Sequence, residues 1–109
     1  MPTIYKVLGQ INPAAATPAT LYAAPAATQA IVSTIVVTNI AATSATFRVS
    51  VRQAAAAQTN AMYLAYDVTI AGNDSTCLTL GITLAATDVI TVYASTVNVA
   101  FAAFGSEVS

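Results

Sequence analysis

Apolar and polar residues alternate most strictly through Phe47-Arg48-Val49-Ser50-Val51-Arg52. Phe47, Val49 and Val51 fall on one side, and Arg48, Ser50 and Arg52 on the other, which is the mark of a half-buried β-strand. The same period runs through residues 62–70 and predicts a second strand. It places Met62, Leu64, Tyr66, Val68 and Ile70 on one face and Tyr63, Ala65, Asp67 and Thr69 on the other. Residues 31–39 are apolar on both faces and read as a strand that ends in the turn-like Asn39-Ile40-Ala41-Ala42-Thr43. Residues 3–10 and 20–24 predict shorter strands.

Turn chemistry divides the second half. Ala71-Gly72-Asn73-Asp74 closes a turn, because Gly and Asn tolerate positive φ and Asp bonds its own backbone. A strand over 75–80 then completes a hairpin, 81–88 forms a connection, and 89–94 with 97–104 form a final hairpin about Ser95-Thr96. About eight strands with turns every 8–12 residues or so predict an all-β fold. The expectation is a single-domain antiparallel β-sandwich over 1–109, jelly-roll or immunoglobulin-like, with the strand count leaning to the jelly roll.

Two alanine runs have helical propensity. Ala14-Ala15-Ala16 lies between Pro13 and Pro18, which block a helix of useful length. Ala54-Ala55-Ala56-Ala57 reads as a loop or one helical turn, the loop preferred. Residues 12–28, rich in Pro, Ala and Thr, read as a loop or as an arm reaching a neighbouring subunit.

Composition changes the picture. Charged residues make up 6% of the 109-residue chain, against about 25% in an ordinary soluble domain. They are Lys6, Arg48, Arg52, Asp67, Asp74, Asp88 and Glu107, and there is no histidine. A free monomer relies on a charged surface to discourage association, so this chain reads as a subunit of an assembly. Net charge of −1 and three basic residues leave no footprint for nucleic acid. Mean hydropathy is +0.73, yet no run approaches the roughly 20 apolar residues of a spanning helix, so no membrane partner is expected. The opening Met1-Pro2-Thr3-Ile4-Tyr5-Lys6 lacks a basic leader before an apolar block, and Cys77 is the lone cysteine. Synthesis in a reducing cytoplasm is expected, with Cys77 buried in a strand.

Catalytic chemistry finds no support in this pattern. The acids are scattered, no histidine can serve a nucleophile, and no metal-ligand or phosphate-loop spacing occurs. The chain is not expected to be an enzyme, and no catalytic, cofactor-binding or metal residue is assigned. Asp74 and Asp88 read as turn-capping groups. Arg48 and Arg52 share a strand face about 13 Å apart. They can pair with strand neighbours such as Asp67, or hold an acidic partner through the planar guanidinium fork. Tyr5, Tyr22, Tyr63, Tyr66 and Tyr93 offer an alternative as a stacking face for sugars or bases.

One further pattern bears on function. Asp67-Val68-Thr69-Ile70-Ala71-Gly72-Asn73-Asp74, Leu78-Thr79-Leu80-Gly81-Ile82-Thr83-Leu84 and Ala85-Ala86-Thr87-Asp88-Val89-Ile90-Thr91-Val92-Tyr93-Ala94 lead into Val97-Asn98-Val99-Ala100-Phe101. With the tail Phe104-Gly105-Ser106-Glu107, the opening Val7-Leu8-Gly9-Gln10 and the middle Ile35-Val36-Val37-Thr38-Asn39, this resembles the small β-sandwich virion proteins of tailed bacteriophages. It is similar in particular to capsid cement (decoration) proteins. The resemblance implies a homotrimer on the outer capsid surface, made in the host cytoplasm, that bridges capsomers of the major capsid protein and stabilises the shell. The alternative is a tail or fibre module for host attachment; a 109-residue chain starting at Met fits a separate small virion protein better. A pilin-like filament subunit is a third class, disfavoured by the missing leader. Candidate interface residues are Arg48, Arg52, Lys6, Pro13, Pro18 and Tyr22.

Overall fold

β-Branched and aromatic residues dominate the chain, and they fit a pleated, half-buried surface better than a helix. The computed structural model describes residues 3–79 and 81–108. Its strands are β1 (Thr3–Ile11), β2 (Ala19–Ala23), β3 (Gln29–Asn39), β4 (Ala45–Arg52), β5 (Tyr63–Ile70), β6 (Asp74–Leu78), β7 (Ile82–Leu84), β8 (Val89–Ala94) and β9 (Val99–Val108). They form two antiparallel sheets. The back sheet runs β1-β9-β3, with β6 and β7 sharing the far side of β3; the front sheet runs β2-β8-β4-β5. The chain passes from one sheet to the other at almost every step, and β4–β5 is the one hairpin between neighbours among the described strands. This is jelly-roll connectivity, and it decides between the two sandwich topologies.

The core lies between the sheets. Phe47 of β4 meets Phe101 of β9 edge to face, with ring centroids 6.2 Å apart and planes at 73°, a favoured aromatic geometry. Ile35, Val37, Val49, Ile70, Ile90, Val92 and Val99 are fully buried around the pair. The alternation through β4 is as expected for Phe47 and Val49. Ser50 faces outward yet is buried, because the loop after β4 folds over it and Gln58 Oε1 accepts its hydroxyl proton at 2.7 Å.

Several expectations are corrected. The turn at 71–74 does not close a hairpin: β5 belongs to the front sheet and β6 to the back. Asn73 N–H donates to Ala41 O at 2.8 Å, and a Cβ on Gly72 would lie 2.1 Å from Ala42 O, so this turn packs against the β3–β4 connection. The pair about Ser95-Thr96 is not a hairpin either. β8 sits between β2 and β4, and β9 between β1 and β3, so each has neighbours on both sides in a different sheet. The last strand runs to Val108, beyond the expected 104. The connection at 81–88 contains β7, and Leu80, expected to end the strand before it, lies outside the described residues. Cys77 is exposed, since its register partner Val36 points away from the core.

The alanine run after β4 makes a short 3-10 turn. Ala54 and Ala55 have φ of 52° and 56°, and Ala56 N–H donates to Gln53 O. Two successive left-handed residues cannot continue a right-handed helix. Residues 12–28 contain β2 and fold onto their own domain, where Ala16 N–H donates to Ala94 O and Ala24 N–H to Asp88 O.

Asn39, 1% exposed, ends β3 at the corner where the chain changes sheets. Its side-chain amide donates to Thr43 O at 2.8 Å, Ala71 O at 3.3 Å and Ile70 O at 3.4 Å, while Oδ1 accepts from Ala41 N–H. Asn39→Ala strands these buried backbone groups and is expected to cost about 2–3 kcal/mol in denaturant unfolding. Ile40→Ala, at a neighbouring exposed position, is expected to leave stability nearly unchanged.

Candidate functional site

The outer face of the front sheet carries the richest chemistry. β4 presents Arg48, Ser50 and Arg52 there, and register brings Tyr93 and Thr91 of β8 opposite Arg48 and Ser50. β5 supplies the other side through a bulge. Phe47 pairs with Val68 but Val49 with Ala65, so Tyr66 and Asp67 together oppose Arg48. Asp67 takes the extra residue's left-handed backbone, φ 50°. A bulge of this kind re-aims side chains. Strict alternation had set Tyr66 and Asp67 on opposite faces; the bulge turns both toward one guanidinium.

Arg48 is held on every side. Its Nε donates to Asp67 Oδ1 at 2.6 Å and its Nη2 to Oδ2 at 3.2 Å, a bidentate pair. The Tyr66 and Tyr93 rings lie on it, each centroid 4.2 Å from the guanidinium carbon, well inside cation–π range. Tyr63 packs edge-on against Tyr66 at 4.8 Å. The Arg48 hydrogen bond, then its charge, holds the Asp67 carboxyl below the ordinary aspartate value.

Arg52 stands apart. Its Nε donates to Thr91 Oγ1 at 3.1 Å and Nη1 to Ala56 O at 3.3 Å, and no acidic side chain pairs with it among the described residues. Between the two arginines runs an open groove of about 290 Å³, with Ser50, Thr91 and Tyr93 on its floor. Pro18, Ala19 and Thr20 border it on one side, and Gln58 and Tyr63 on the other.

The other candidates lie elsewhere. Lys6 Nζ is 3.0 Å from Glu107 at the sandwich rim. Tyr22, buried, reaches across from the front sheet to donate its hydroxyl proton to the same carboxylate. Burial, then the bond to Glu107 and its charge, holds the Tyr22 phenol well above its ordinary value. Pro13 is buried. Thus Arg48, Arg52 and Pro18 come together in the groove, Lys6 and Tyr22 meet at Glu107, and Pro13 joins neither. Of the tyrosines, Tyr63, Tyr66 and Tyr93 gather at the groove, while Tyr5 and Tyr22 do not. Thr20, Gln58 and Thr91 were not singled out from sequence; nothing in their local pattern separates them from the chain's other polar residues. Asp88 caps two backbone amides, Ala54 N–H at 2.8 Å and Ala85 N–H at 2.9 Å, and Asp74 accepts from Ser75 N–H.

The outer face of the back sheet is chemically opposite. Residues directly opposite on paired strands share a face, so Tyr5, Ser106, Ile31 and Thr83 form one row. Val7, Phe104 and Thr34 form the next, then Gln10, Ala102, Val36 and Cys77, then Ala100, Thr38 and Ser75. Among the described residues no charged side chain lies on this face. Tyr5 is 82% exposed, Val7 50% and Ile31 47%.

Comparison with protein-family models, with curated proteins and with solved structures finds no match for this chain.

The Tyr22 hydroxyl, then Lys6, holds the Glu107 carboxyl below its ordinary value of 4.5. A carboxyl depressed by folding adds stability that is complete above the ordinary value and is lost as pH falls through the folded one. Acid unfolding is therefore expected to weaken the fold from about pH 4.5 downward. Tyr22→Phe is expected to raise the Glu107 titration, followed by carboxyl ¹³C NMR, and to shrink this acid-dependent share of stability. An unchanged Glu107 titration would show that the hydroxyl does not set it.

Proposed function

We propose that this chain is a structural virion protein, a capsid cement protein that binds the outer shell between capsomers as a homo-oligomer and stabilises it. The observation that carries the reading is the uncharged outer face of the back sheet. A free soluble domain relies on charges of both signs spread over its surface to discourage association, and among the described residues one whole sheet face has none. Exposed apolar area rimmed by polar residues marks an interaction surface. Ala100 and Ala102, toward the end of the face where β1 stops, leave a shallow depression beside Gln10, Val36 and Thr38, into which a neighbour's residues can pack. The jelly roll supports the same reading, being a fold that recurs in viral capsid domains, as does the sequence resemblance to phage virion proteins.

In such a shell each contact is weak and neutral. Holding many copies in a lattice turns the second and later contacts into intramolecular events, so affinity accumulates without strong individual pairs. A closed oligomer, which the resemblance puts at three copies, also covers back-sheet edges such as β1, whose described residues include a single charged side chain, Lys6. The major capsid protein is the second partner in this reading.

A tail or fibre module for attachment to a host surface is the second reading. What favours it is the tyrosine-lined groove of the front sheet, a type of surface that the cement role does not require.

The decisive experiment is electron microscopy of virions carrying the labelled chain. Density on the outer shell is the expected result; density on the tail alone would overturn the cement reading. In a companion assay, Tyr5→Glu with Ile31→Glu is expected to weaken self-association and shell binding about tenfold or more by placing charge in a desolvated contact. Unchanged thermal unfolding of the monomer would show that the loss belongs to the face.

A further inference from the structure

We propose that the groove on the outer face of the front sheet is a binding site for an acidic saccharide, with the sugar carboxylate on Arg52 and the ring over the floor between Arg52 and Tyr93. The site faces away from the uncharged sheet, so it does not rest on the cement reading, and both faces can be occupied at once.

Charge decides the ligand's sign and number. Arg48 is neutralised by Asp67 in a bidentate pair and fixed between two tyrosine rings. Arg48 is therefore part of the wall and offers no free charge. Arg52 has no acidic partner among the described residues, and its bonds to Thr91 Oγ1 and Ala56 O engage Nε and Nη1. Nη2 has no protein acceptor among the described residues. One uncompensated guanidinium of fixed orientation matches a single carboxylate, which accepts charge-assisted N–H bonds from the open Nη2. It is a poorer match for a phosphate dianion, whose sites gather several cations or backbone amides.

The lining decides the rest of the ligand. Thr20 borders the groove, Thr91 Oγ1 accepts from Arg52 and keeps its own proton to donate, the buried Ser50 hydroxyl is already given to Gln58 Oε1, and Tyr63 and Tyr93 add aromatic surface. Hydroxyl groups beside aromatic surface suit a polyol ring, which has hydroxyls at its rim and C–H groups on its faces. At about 290 Å³ the groove sits at the small end of ligand pockets, about 300–1,000 Å³. It suits one end or one unit of a glycan. The floor belongs to β4 and β8, each paired on both sides, so the site is largely formed before binding.

The test is a ¹H–¹⁵N NMR titration of the full chain with glucuronate, glucose and glucose 6-phosphate. Saturable shifts at Ser50, Arg52, Thr91 and Tyr93 with millimolar glucuronate are expected. Glucose is expected to bind about tenfold more weakly or worse, as the loss of a charge-assisted pair requires. Arg52→Gln is expected to abolish the difference between glucuronate and glucose. Should that variant unfold, Gln58→Ala, altering an exposed loop residue, is expected to weaken both sugars while keeping their ratio. Equal binding of glucose and glucuronate, tighter binding of glucose 6-phosphate, or no saturable shift at these residues would each overturn the proposal. None of these outcomes bears on where the chain sits in a virion, so this reading and the cement reading fail separately.

Discussion

Each time the chain leaves one sheet for the other it abandons a hydrogen-bond ladder, and the backbone groups at the corner must find other partners. Buried polar groups without partners are costly, so this condition governs a jelly roll more than a fold made of hairpins. Two side chains meet much of it here. Asn39 gathers Ala41, Thr43, Ile70 and Ala71 at the corner shared by the β3–β4 and β5–β6 connections. Asp88 gathers Ala54 and Ala85 near the start of β8. Both are buried, one neutral and one acidic, and both join segments distant in sequence. With the corners held, Phe47 and Phe101 can meet between the sheets and the aliphatic core can close around them.

The same economy of polar groups shapes the groove. In a chain with so few charges, the Arg48–Asp67 pair takes one of the two arginines on the front face and leaves the other open. The β5 bulge at Asp67 makes that pairing possible, because it sets Asp67 and Tyr66 beside the same guanidinium. The stacked rings and the bidentate bond then make a rigid wall. Arg52 escapes it because its register neighbour on β8 is Val89, not an acid, and its nearest polar contacts are a threonine hydroxyl and a loop carbonyl.

The sandwich consequently has two unlike outer faces. All the charge displayed on the sheet faces belongs to the front, where Arg48, Arg52 and Asp67 sit; Lys6 and Glu107 pair at the rim, and Asp74 and Asp88 serve turns. The back face is left to uncharged groups: hydroxyls, the Gln10 amide, the Cys77 thiol, alanines and exposed apolar side chains. A division of this kind suits a subunit that packs by one face and presents the other, which joins the two proposals without making either depend on the other.

Strand content, the pattern of β4 and the turn roles of Asp74 and Asp88 were legible in the sequence, because period, propensity and turn chemistry are local. The charge shortage and the possible Arg48–Asp67 pairing were legible too, since composition and residue type need no coordinates. Lane order was not. Alternation says which face a residue takes, but not which neighbour its strand has, and β5 and β6, like β8 and β9, proved to be in different sheets. The exposure of Cys77 follows from register with Val36, which no local pattern encodes. The groove depends on the bulge at Asp67 and on loop 53–62 folding over Ser50, both fixed by packing between distant segments. Local physics thus determined an all-β, charge-poor chain; tertiary pairing decided which of its few polar residues would meet, because their positions are set by partners far away in sequence.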